Sequence, residues 1–169
     1  IHYRSDRAGA TATARDVEAL GRRAACLMAD VADADACERL VGEAATALGG
    51  LDLLVNNAAT FARTPLETLS VADFDRHMTV NARSVFALTL AAGRRMKASG
   101  GGSVVNLACV SGLSPWKGYV AYSASKAAVI SLTKGFAKSL APEVRVNAVA
   151  PGPVLAAECA EAPHDPPAA

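Results

Sequence analysis

The sequence predicts an α/β fold, a doubly wound parallel sheet with helices on both faces. Three observations lead there. The hydrophobic period switches repeatedly between strand-like and helix-like along the 169 residues. The strands "LDLLV" and "SVVNLA" are apolar almost throughout, as strands covered on both faces are. Polar and turn residues ("AD", "NN", "PGP") gather at strand ends, where ligands dock in such sheets.

The elements follow in order. "IHY" is a short strand, and "DRAGATATARDVEALG" is a helix stopped by Gly21. "AACLMAD" is a buried strand. "DADACERLVGEAATALGG" is a helix with Asp33 near its start and glycines at its stop. "LDLLV", residues 51–55, is a strand and "NNAATFARTP" a loop. Residues 70–98 form one long helical pattern, with Ser70 as its cap and Asp73 at the capping-box position. "GGG" at 100–102 breaks it, and "SVVNLA" is the next strand. Residues 119–140 are a helix, and "VRVNAVA" is a strand closed by "PGP". This alternation gives successive βαβ units in one domain over residues 1–155. Residues 156–169 lose all periodicity, are rich in Pro and Ala, and are expected to be disordered.

Composition narrows the function classes. Hydrophobic residues make up 51% and aromatics 5%, a balance that suits close helix–sheet packing. The net charge of +1 is interspersed, and no basic stripe argues for nucleic acid. Runs such as "SVFALTLAA" are too short to cross a bilayer, and no signal-peptide pattern is present. Cys26, Cys37, Cys109 and Cys159 show no CxxC spacing and no histidine partners. They read as reduced thiols, with no disulfide or metal site, in a cytoplasmic protein.

The chemistry lies in "YSASK". Tyr122 and Lys126 are four residues apart at the start of a helix, so both project from one face. An ammonium beside a phenol favours the phenolate, which predicts a lowered Tyr122 pKa and a general acid or base near neutrality. Asn81, a mediocre helix former, falls inside the long helix.

With "AD" at 29–30, "NNAA" at 56–59, Asn81, "YSASK" at 122–126 and "VNAVAPGPV" at 146–154, the chain resembles the short-chain dehydrogenase/reductase family. The resemblance covers residues 1 to about 155 and implies a Rossmann-like sheet binding a nicotinamide cofactor. It implies that Tyr122 exchanges a proton with the oxygen of a small carbonyl or alcohol substrate. Lys126 then holds the nicotinamide ribose and lowers the Tyr122 pKa, and Asn81 holds a water that relays protons to Lys126. Asp30 and Val31 contact the adenine, and the backbone around Asn57 and Ala58 borders the adenosine ribose. Pro151, Gly152 and Val154 flank the nicotinamide. A homotetramer paired through the two long helices is implied by the same analogy.

Three departures qualify the match. The family keeps a serine thirteen residues before the tyrosine, and here that position is Cys109, a weak donor. Ser111, two residues on, is the alternative, as is a purely structural Cys109. "LVNNAATFARTPLE" and "SLAPEVRVNAVAPGPVL" look like the pteridine-reductase branch, in which that position is also not serine. After the first strand stands "YRSD", and Arg4 with Ser5 there favours NADP(H) over NAD(H). Finally, the family's opening strand and glycine-rich turn have no counterpart, nor does its last strand. The expectation is therefore a fragment of a reductase. The alternative is a degenerate, non-catalytic homologue with a structural or oligomerisation role.

Overall fold

The computed structural model describes residues 1–153; Val154 and the tail at 156–169 lie outside them. Five parallel strands and five α-helices alternate: β1 (His2–Tyr3), α1 (Arg7–Ala19), β2 (Leu27–Met28), α2 (Ala34–Leu48), β3 (Leu53–Asn56), α3 (Val71–His77), α4 (Ser84–Ala98), β4 (Gly102–Leu107), α5 (Val120–Leu140) and β5 (Val144–Val149). This is the Rossmann-like α/β arrangement of parallel strands flanked by helices that the sequence predicts.

The strands form two sheets. β1 pairs with β2, and β3, β4 and β5 pair in that order, every pair parallel. The division falls between β1 and β3, where the family resemblance implies a further central strand. Each of these two strands is paired on one edge only among the described residues.

Local chemistry sets the helix ends. Asp6 caps α1 by accepting the Gly9 N–H at 2.8 Å, so this carboxylate is committed to the fold. Asp33 caps α2, and Gly49, with φ of 82°, ends it in the left-handed region glycine tolerates. At Ser70 the predicted capping box is complete: Ser70 and Asp73 exchange side-chain and backbone bonds. The long pattern over 70–98 differs from expectation in one respect. α3 and α4 are joined through a π-helical turn, Met78–Arg83, and Asn81 lies within it. The second strand is also shorter than expected, Leu27–Met28 against the "AACLMAD" run. Flanking residues 22–26 carry no regular structure.

The main core lies on one face of the three-stranded sheet. Val104, Val144 and Val146 meet Leu40 and Val41 of α2, Leu88, Ala92 and Met96 of α4, and Leu140 of α5. Met96 is fully buried, a contribution of about 1.5–3 kcal/mol relative to exposure. The opposite face presents Leu53, Val55 and Val149 to solvent. α1 takes no part in this core and lies against β1.

One polar network runs through the apolar layer. Asn56 and Asn106 are register partners at the ends of β3 and β4. Asn56 Nδ2 donates to Asn106 Oδ1 at 2.8 Å and to Thr89 Oγ1 of α4 at 3.1 Å. Asn106 Nδ2 donates to Thr133 Oγ1 of α5 at 2.9 Å. All four residues are buried, so each bond is made in a low-dielectric setting and is costly to leave unmade. Asn106→Ala should strand Asn56 and Thr133 and lower stability by about 2–3 kcal/mol. Urea denaturation checks this, and an unchanged midpoint would mean the network holds nothing.

Candidate active site

The site stands at the C-terminal ends of β4 and β5, between the first turns of α5, the loop after β3 and the π-helical turn. Tyr122 and Lys126 share one face of α5, as their spacing requires, and both are buried. Lys126 Nζ donates to the Leu107 carbonyl at the end of β4, 2.7 Å away, and lies 5.8 Å from the Tyr122 ring centroid.

Asn81 ties three segments together. Its Oδ1 accepts the Thr60 N–H at 2.7 Å, and its Nδ2 donates to the Thr60 carbonyl at 2.9 Å and to Ser125 Oγ at 3.0 Å. Ser125 in turn donates to the Tyr122 carbonyl. Both side-chain N–H groups of Asn81 are thus spent on protein partners. A relay through this residue has only the spare lone pairs of its oxygens to use.

Cys109 and Ser111 separate clearly. Cys109 lies near enough to the Tyr122 phenol to raise its pKa, and its Sγ accepts the Ser111 N–H at 3.5 Å. Ser111 is fully buried, and its Oγ has no protein partner. The thiol and not the Ser111 hydroxyl therefore stands against the phenol. The turn Val110–Gly112 presses on α5: a Cβ on Gly112 would stand 2.8 Å from the Ala127 nitrogen. The Val110 N–H donates to the Pro151 carbonyl at 3.1 Å, which draws the end of β5 to the same place, with Gly152 half-buried beside Val110.

The expected lowering of the Tyr122 pKa is not found. Burial pushes the phenol well above its ordinary value, and Cys109 adds to the rise. Burial pushes Lys126 down, opposed by Cys109. The lysine reaches the Leu107 carbonyl and not the phenol oxygen, so desolvation wins over the helix-face pairing.

The other expected positions are spread along the sheet ends. Arg4 and Ser5 are exposed in the β1–α1 turn. Asp30 is exposed and folds back to accept the Ala32 N–H at 2.9 Å, while the Val31 side chain belongs to the main core. Asn57 and Ala58 are exposed after β3. Val154 falls outside the described residues.

An aromatic cluster at the mouth was not expected from the sequence. Phe61 stacks on Tyr119 at 4.9 Å and meets Tyr122 edge-on at 4.8 Å, and Trp116 meets Tyr119 at 6.0 Å. The available signal was compositional: half of the eight Phe, Trp and Tyr residues fall in "YSASK" and the two loops that border it.

Residues 1–166 match the family model described as short chain dehydrogenase. A 3beta-hydroxysteroid dehydrogenase 1 of Eggerthella lenta is 38% identical over 157 residues, covering 89% of this chain and 59% of the relative. An uncharacterized oxidoreductase of Mycobacterium tuberculosis is 39% identical over 145 residues, covering 85% and 55%. The crystal structure of a short chain dehydrogenase from Burkholderia cenocepacia J2315 in complex with NADP matches with a TM-score of 0.84 and 40% identity, covering 90% of this chain and 62% of that one. The chain thus spans a little over half the length of the curated relatives it matches.

The raised Tyr122 value predicts that this phenol stays protonated beyond pH of about 10. An absorbance titration should show a delayed tyrosinate step that Tyr122→Phe removes. Because the folded value is the higher one, its stability contribution is complete below pH of about 10 and fades as pH rises above it. Wild-type stability should accordingly fall relative to Tyr122→Phe as pH rises above about 10.

Proposed function

The chain belongs to the short chain dehydrogenase family, and we propose that it carries the proton-handling residues of an NADP(H)-dependent reductase. Its substrate is a small carbonyl or alcohol, or a pteridine-like C=N bond. The observation that carries this reading is the convergence of Tyr122, Lys126, Cys109 and Asn81 at the end of β4, although they come from three separate segments.

The residues present suit a nicotinamide cofactor. Lys126 spends one of its three N–H groups on Leu107, which leaves two for ribose hydroxyls. Arg4 and Ser5 are exposed at the end of β1, with Arg7 in the next turn, and this cationic edge favours a 2′-phosphate. Asp6 lies beside them and caps α1 through one carboxylate oxygen. Asn57 and Ala58 offer their backbone to the adenosine ribose, and Asp30 and Val31 theirs to the adenine. Pro151 and Gly152 flank the nicotinamide. NADP in the similar Burkholderia structure supports the same choice.

When bound, the nicotinamide supplies or accepts the hydride. Tyr122 gives its proton to the carbonyl oxygen as negative charge develops there, and the cofactor-side charge on Lys126 would have to offset the burial that raises the phenol pKa. Lys126 orients the ribose. Asn81 fixes Thr60 and Ser125 around the tyrosine. Cys109 replaces a hydroxyl donor with a weaker thiol, and the oxygen is held less firmly for it.

The same reading includes a cytoplasmic tetramer. No helix among the described residues is long and apolar enough to cross a membrane. Phe86 of α4 is part-exposed and packs on Phe136 of α5 at 5.5 Å, an apolar patch on the two helices expected to pair.

A fluorescence titration of this chain with NADPH, and NADH as control, tests the cofactor. Saturable binding that prefers NADPH at least tenfold, lost in Arg4→Glu, is expected; no binding of either sinks the claim for this chain. Given turnover of a carbonyl panel, Tyr122→Phe should abolish it. Cys109→Ser should raise kcat roughly tenfold, part of the 10²–10³ that one oxyanion donor supplies.

A further inference from the structure

His77 stands outside every role given so far. It ends α3 one turn before Asn81 and is fully buried. Its Nδ1 lies 2.8 Å from the Asp73 carbonyl. A carbonyl can only accept, so Nδ1 carries the hydrogen and Nε2 of the neutral ring bears a lone pair. That Nε2 is buried and has no protein partner. A leucine or phenylalanine would fill this space without an unmet acceptor, so packing alone does not ask for histidine.

The ring does have a directed neighbour. His77 and Tyr122 meet edge to face, with centroids 6.3 Å apart and planes at 78°. One turn further along each helix, Asn81 bonds to Ser125. Two rungs thus join the π-turn segment to α5, and Tyr122 is in one of them. Phe61 bounds the same tyrosine ring from the mouth, but Phe61 is itself largely exposed. His77 is the rigid wall.

We propose that His77 is a positioning residue for Tyr122: tethered through Nδ1–H to the Asp73 carbonyl, its ring fixes the rotamer of the tyrosine. The tether sets the imidazole plane and the plane sets the tyrosine. The inference deepens the reading of Tyr122 as proton donor and rests on it. Its test needs neither cofactor nor substrate.

NMR of the full 169-residue chain, labelled with 15N-histidine and 13C-tyrosine, supplies that test. His77→Leu identifies the His77 signals, and Tyr122→Phe identifies those of Tyr122. At neutral pH Nδ1 should appear protonated and Nε2 bare. His77→Leu and His77→Phe should keep the thermal midpoint at or above wild type, since both remove an unmet buried nitrogen. Both should nevertheless shift the Tyr122 ring resonances and broaden them as a second rotamer is sampled. His77→Phe, which keeps a ring but loses the tether, should show the smaller change. A proton on Nε2 overturns the proposal, and so do Tyr122 signals unmoved in both variants. Loss of folding in both would also overturn it, since the histidine would then be holding the fold. By contrast, full turnover in Tyr122→Phe would sink the catalytic reading and leave the His77 result standing.

Discussion

Everything near Tyr122 depends on one side-chain amide. Asn81 uses its oxygen and both N–H groups to hold the Thr60 backbone on one side and Ser125 on the other. Three stretches far apart in sequence, the loop after β3, the π-helical turn and α5, are fixed relative to one another by bonds made in a buried setting. A buried amide with an unmet group is costly, so the arrangement is all or nothing. The aromatic mouth and the Cys109 turn are then placed by packing on α5.

The electrostatics of the site arise from burial more than from charge pairing. Tyr122 is pushed toward its protonated form and Lys126 toward its neutral form, each chiefly by desolvation. The ammonium is parked on a backbone carbonyl and not on the phenol. The phenol therefore keeps its proton throughout the neutral range. Cys109 adds to the rise at the same phenol, so the thiol acts on the tyrosine.

Much of this was legible in the sequence. The 3.6-residue period put Tyr122 and Lys126 on one face, the Ser70–Asp73 spacing announced the capping box, and the apolar runs marked β3 and β4. Other features have no local signature. A π turn adds one residue to a helix, which a long helical pattern averages away. The lysine's partner is Leu107, nineteen positions back, and only the folded sheet brings that carbonyl within reach. The reversal of the tyrosine's expected shift comes from desolvation, a property of the assembled core and not of spacing. His77 looked like one more helical residue because its meaning lies in the ring it meets across the helix pair.

The π turn makes chain length itself part of the site. An α-helix turns about 100° per residue, so one residue removed anywhere between His77 and Leu88 would rotate the rest of the helix by that angle. The helix would read as more regular, yet its two ends serve different masters. His77 and Asn81 face α5, while Leu88, Ala92 and Met96 face the sheet. No single rotation satisfies both. Insertions and deletions usually accumulate where chains run near solvent, but here a partly exposed helix is bound to a fixed count. The irregular turn works as a vernier between two registers, and the placing of Asn81 and His77 against α5 is read off its setting.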